Sequence, residues 1–131
     1  MKEELEKKLV KKYPKIFTEY KGDPAKTCMS WGMETGDGWF QIIDTMCGLL
    51  DNHADPDRNS SPGPQVVASQ VKEKFGCLHF YTNGCDDYQD GVIAMAESMS
   101  YKTCEVCGMP GKRRGGGWIR TLCDACYKED K

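Results

Sequence analysis

The stretch CEVCGMPGKRRGGGWIRTLCDAC, residues 104–126, constrains the fold more than any other part of this chain. Its spacing is Cys-x2-Cys-x15-Cys-x2-Cys. Two residues between paired cysteines allow a tight knuckle that aims both sulfurs at one ion, and four thiolates suit the tetrahedral preference of zinc. A closed four-thiolate shell leaves no position for water or substrate. Cys104, Cys107, Cys123 and Cys126 are therefore expected to hold one structural Zn2+. Gly108 follows the first knuckle, where a positive φ is expected. Two separate redox pairs are a poorer reading, because such pairs open a helix in a βαβ setting that the surrounding sequence does not suggest. Residues 101–131 contain few large apolar side chains, so the metal is expected to contribute to folding this segment.

The remaining sequence reads as an α+β body over residues 1–100, with the four-cysteine tail of residues 101–131 docked on it. Hydrophobic residues make up 39% and charged residues 29%, a balance that fits a globular chain rather than a disordered one. No apolar run approaches the roughly 20 residues that span a bilayer. The charged start, MKEELEKKLVKKYPKIF, lacks the apolar centre of a secretory signal, so a cytoplasmic setting is expected. The body carries 11 Lys/Arg against 16 Asp/Glu, whereas the tail carries seven against four. A mildly basic tail on an acidic body is weaker than the basic stripe of a dedicated nucleic-acid binder.

Periodicity places the elements. Residues 2–12 read as a helix with a narrow Leu5, Leu9 and Val10 stripe, acidic at its start and basic at its end. Asp37 is expected to cap a second helix, about 38–51, in which Trp39, Ile42, Ile43, Met46, Leu49 and Leu50 recur toward the core. The polar, proline-rich segment 51–65 reads as a loop, either a lid or slack. Residues 65–82 read as two antiparallel strands turning at 74–77, and residues 87–100 as a third helix with Ile93, Ala96 and Met99 inward. The expected architecture is a small antiparallel β-sheet packed with helices, followed by a C-terminal zinc-ribbon or knuckle module.

Between the knuckles, Lys112, Arg113, Arg114 and Arg120 accompany Trp118 and three successive glycines. Cations neutralise phosphates, an aromatic ring stacks on a base, and glycine backbone can cup an anion, so Arg113, Arg114, Trp118 and Arg120 are candidate ligand contacts. The equally natural alternative is a solvated hairpin that packs the tail onto the body. Cys77, His79 and Cys85, with Cys28 or His53, form a weaker candidate for a second metal site. Their bland reading is buried or half-exposed thiols, a surface histidine at 79 and a solvated one at 53. Trp31 either lines a pocket or self-association surface or sits in the core. Asp86 and Asp87 read as a turn and helix cap. No nucleophile elbow, His-Glu-x-x-His or phosphate-binding loop is present, so an enzyme is not expected.

The segments VKEKFGCLHFY and TCEVCGMPGKRRGGGWIRTLCDAC, with LVKKYPKIF and GDGWFQIID, resemble a family of small zinc-ribbon proteins encoded by bacteriophages and prophages. The resemblance lends no catalytic residue. It implies the cytoplasm of an infected bacterium and a dispensable or host-directed role. The expected function is that of a non-enzymatic binding protein that captures a host protein or a small nucleotide-like ligand, with counter-defence as one form of that role. A nucleic-acid-binding zinc-ribbon regulator is the alternative, and homo-oligomerisation is open.

Overall fold

A computed structural model describes residues 1–130, and the side chain of Asp130 is outside the description. Helix α1 spans Glu3–Lys12, with Glu3, Glu4 and Glu6 in its first turn and Lys11 and Lys12 in its last. This charge order opposes the helix dipole favourably at both ends. Leu9 is buried, while Leu5 and Val10 are half-buried at the margin of the stripe. Pro14 follows, and Ile16 and Phe17 anchor the next turn in the core.

The body sheet contains β1 (Met33–Glu34), β2 (Val67–Lys74) and β3 (Cys77–Asn83), in that order. The β2–β3 pair is antiparallel as expected, with an irregularity between Ala68 and Gln70. Its turn places Phe75 at φ 54° and Gly76 at φ 78°, matching the twist of a tight hairpin. The sheet is not purely antiparallel, however. Strand β1 pairs with β2 in parallel, Met33 opposite Val71 and Glu34 opposite Lys72. Parallel neighbours need a crossover, and helix α2 (Phe40–Ala54) lies between them in the chain. A two-residue strand has too little alternation for the sequence to reveal it.

Helix α2 starts later and ends later than its periodicity suggests. A 3-10 turn, Asp37–Trp39, precedes it, and Asp37 does not cap it. The Asp37 carboxylate instead accepts the Lys2 backbone N–H at 2.7 Å, at the start of α1. Helix α3 spans Asp87–Ser100 and opens with a full capping box, in which Asp86 accepts from the Gln89 N–H and the Gln89 side chain accepts from the Asp86 N–H. The expected loop therefore begins after Ala54, and it is tied down. His53 is half-buried rather than solvated: its ring lies 2.7 Å from Asp86, stacks on Tyr88 and contacts Asn59.

Helices α2 and α3 pack against each other, and α3 against β3. Trp39, Ile43, Met46, Cys47 and Leu50 are buried with Leu78, Val71 and Phe80 across the sheet. Leu49 and Met99, expected in the core, are 43% and 48% exposed. Each lies at the outer edge of the α2–α3 contact, where no third layer covers it. Trp39 and Phe80 are buried, whereas Trp31, Phe75 and Tyr81 are exposed. No helix among the described residues is long and apolar enough to cross a membrane.

Candidate metal centre

The two knuckles are brought together by a short antiparallel hairpin, β4 (Lys112–Arg114) and β5 (Arg120–Leu122), with Arg114 opposite Arg120. A final helix, α4 (Asp124–Asp130), begins inside the second knuckle. The ligand atoms of Cys104, Cys107, Cys123 and Cys126 all lie within 4.8 Å of one another. Sulfurs at about 2.3 Å from a tetrahedral ion are about 3.8 Å apart. The Cys107–Cys123 separation of 3.6 Å is close to that. The donor set and its spacing thus fit a zinc-like ion held by four thiolates.

Backbone geometry supports the same conclusion. The Gly108 N–H donates to the Cys104 carbonyl at 2.9 Å, and Gly108 has φ +83°, closing the first knuckle in the left-handed region. The Cys126 N–H points at the Cys123 sulfur at 3.4 Å. Burial pushes the Cys104 thiol up, but the N–H groups of Cys123, Cys107 and Val106 outweigh it and bring the group down to about 7. Cys126 is held above the ordinary thiol range, first by the Cys123 thiol and then by burial and the other two cysteines. Cys107 is raised as well: the Met109 N–H works against that, and burial with the neighbouring thiols prevails. Four clustered thiols cannot all ionise together without a cation among them.

The centre is built into the body rather than hung from it. Cys104 is fully buried. The Gly38 N–H donates to the Glu105 carbonyl and the Trp39 indole N–H to the Thr103 carbonyl, both at 2.9 Å. From the other side, the Thr121 hydroxyl donates to the Gly76 carbonyl at 2.6 Å. Gly36 and Gly38 permit this approach: a Cβ on Gly36 would lie 2.0 Å from the Glu105 oxygen, and one on Gly38 would lie 2.1 Å from the Cys104 oxygen. The GDGW sequence is therefore the seat of the first knuckle.

The candidate ligand contacts divide sharply. Arg114 donates to the Leu122 carbonyl and to Asp124 at 2.7 Å, and its guanidinium lies 4.3 Å from the Tyr127 ring centroid. Arg120 is bound to the buried Glu105 at 3.1 Å, and Glu105 also accepts the Thr121 N–H. Arg113 donates to the Phe75 carbonyl and stacks over Tyr101. Each arginine thus has an internal partner. Trp118 remains 74% exposed.

The chain matches no family model, no curated protein and no solved structure.

Two recesses adjoin Trp118. One, of about 330 Å³, is lined by Glu73, Phe75, Gly117, Trp118 and Ile119. The other, an open cleft of about 620 Å³, shares Trp118 and Glu73 and adds Glu34, Thr35, Glu105 and Arg120 among its walls. The glutamates and Thr35 escaped the sequence reading, since only the tertiary fold brings residues 34, 73, 105 and 118 together. An acidic residue between the first two ligands, Glu105, was the one local signal. Cys77, His79 and Cys85 do not gather: among the described residues, the only cluster of three or more ligating groups is that of Cys104, Cys107, Cys123 and Cys126. The Cys77 thiol donates to the Leu78 carbonyl, Cys85 contacts Thr82, and His79 stacks on Tyr81. Trp31 is exposed and lines neither recess.

Proposed function

We propose that this chain is a non-enzymatic zinc-ribbon protein that captures a protein partner through the face around Trp118 and Phe75. The observation that carries this reading is the contrast between the arginines and the aromatics. Three guanidiniums that would grip phosphates are engaged with carbonyls, carboxylates and rings of the same chain. Two large aromatics, Trp118 and Phe75, share a recess and stand exposed. Exposed aromatics beside concave surface have the makeup of a binding hot spot. The phage-family resemblance makes a host protein, bound during infection and held from its normal task, the natural partner. Sequestration of a nucleotide signal is the less supported form of the same role.

A nucleic-acid-binding ribbon is the second reading, favoured by exposed Lys112 and Trp118 at one end of the chain. Salt dependence separates the two. Nucleic-acid affinity falls steeply between about 50 and 200 mM salt in proportion to the phosphates contacted. The test is site-specific photo-crosslinking of the zinc-loaded protein in bacterial lysate, with the probe at position 118 or, as a control, at Tyr88. A single protein captured only from position 118, and lost on chelation, supports the reading. A nucleotide or oligonucleotide that saturates the protein and protects Trp118 overturns it.

A further inference from the structure

The larger cleft beside Trp118 has a chemical character of its own. Three carboxylates line it, from Glu34, Glu73 and Glu105, against one guanidinium, Arg120. Arg120 and Glu105 neutralise each other at 3.1 Å. The Met1 amino group, also in the wall, is occupied by the Met33 and Thr35 carbonyls. Glu73 accepts the Gly76 N–H at 2.8 Å but has no cationic partner within salt-bridge distance among the described residues. Glu34 has neither a hydrogen bond nor an ion pair from its side chain among them, although Lys72 stands opposite it in the β1–β2 ladder. The three carboxylates outnumber the two cations of the wall, Arg120 and the Met1 ammonium, and share the cleft with an exposed indole.

Thr35 is a second and independent indication. It lines the same cleft, it is only 6% exposed, and its hydroxyl oxygen has no hydrogen-bond partner among the described residues. Buried hydroxyls are normally satisfied, because an unpaired one forfeits the hydrogen bonds it made to water. A hydroxyl accepts as well as donates, so the preference for a ligand rich in N–H donors comes from the carboxylates of this aromatic-edged cleft, beside which Thr35 adds an unpaired polar group.

We propose that this cleft is the docking site for an arginine side chain of the partner, an inference that rests on the protein-capture reading above. A guanidinium matches each feature. Its planar face stacks on an indole, its forked N–H groups bind carboxylates in pairs, and its donors outnumber its acceptors. A phosphate-bearing ligand would meet the same glutamates as like charges. The acidic body, with 16 Asp/Glu against 11 Lys/Arg, adds a long-range bias toward a basic segment.

The probe is a short blocked peptide with two central arginines, titrated into the zinc-loaded full chain and followed by NMR. The Trp118 indole N–H and the amides of Glu34, Thr35 and Glu73 are the reporters. Saturable shifts centred on these groups are expected, and they should weaken as salt rises. Glu34→Gln and Trp118→Ala should each weaken binding about tenfold, the loss of one charge-assisted or cation–π contact. Glu34 is exposed and has no side-chain partner among the described residues, so its variant should retain the fold even if the tryptophan variant does not. An otherwise identical peptide with two glutamates should leave the reporters unmoved. The proposal is overturned if the arginine peptide moves none of them, if the glutamate peptide moves them equally, or if Glu34→Gln binds as tightly as the parent. Should the arginine peptide fail while crosslinking from position 118 still captures one protein, the ligand assignment falls and the capture reading stands. Saturation of the same reporters by a nucleotide removes both.

Discussion

Gly38→Ala tests whether the metal knuckle is seated in the body. The new Cβ would lie 2.1 Å from the Cys104 oxygen, 2.7 Å from the Glu105 carbonyl carbon and 2.7 Å from the Gly108 nitrogen. All three are backbone atoms of the knuckle, so no side chain can rotate away. Gly38 has no positive φ, so alanine suits the backbone there and the whole effect is steric. Overpacking of this kind costs about 1–3 kcal/mol. Moving the knuckle outward also strains the Gly38-to-Glu105 and Trp39-to-Thr103 hydrogen bonds, each contributing about 1 kcal/mol. A combined loss of about 3 kcal/mol lowers the melting temperature of a chain this size by about 10 °C. Thermal unfolding of zinc-loaded protein measures it, with near-ultraviolet circular dichroism reporting on buried Trp39. Gly115→Ala is the control, since a Cβ there meets nothing within 4 Å. If Gly38→Ala melts within about 2 °C of the parent, the close approach of residues 36–38 to the knuckle is wrong.

Removal of the metal by a chelator should expose the amides of residues 104–108 and 120–126 to hydrogen exchange while the β2–β3 pair stays protected; tail amides that remain protected would refute a structural role for the ion. Native mass spectrometry should find one zinc per chain, lost in Cys123→Ser. Gly91→Ala, on the exposed face of α3 with open space around it, should stabilise the protein by about 0.5–1 kcal/mol, read from denaturant midpoints. Burial raises the Asp44 carboxyl, but hydrogen bonds from Tyr13 and Lys12 prevail and hold it below the ordinary carboxylate range. Its stabilising contribution is therefore present above the unfolded pKa of about 4 and is lost as pH falls through the lower folded value. Asp44→Asn should flatten the fall in stability below about pH 4, and an unchanged slope would remove Asp44 from the acid response.

Much of the fold is legible in local pattern because its causes are local. The charge order of α1, the capping box at Asp86 and Gln89, and the Phe75-Gly76 turn each act within a few residues. Leu49 and Met99 show the limit of such reading: periodicity marks an apolar stripe, but only the neighbouring elements decide how wide a stripe is covered. Asp37 shows another. Its residue type suits a cap, yet its partner is a backbone N–H 35 residues away. His53 likewise became a clasp only when α2 and α3 met at Asp86.

The sequence by itself determined the four-cysteine centre, because four ligands at knuckle spacing specify geometry for an ion before any packing is known. It also determined that the cations and the tryptophan lie between those ligands. Tertiary structure decided what each of them does. Hairpin pairing and the seat at Gly36 and Gly38 turn Arg114 and Arg120 inward to carbonyls and carboxylates, while Trp118 stays outside beside glutamates from three separate segments. A linear sequence records which charges exist. Their sum at a surface depends on which are neutralised at about 3 Å, and folding alone sets that distance.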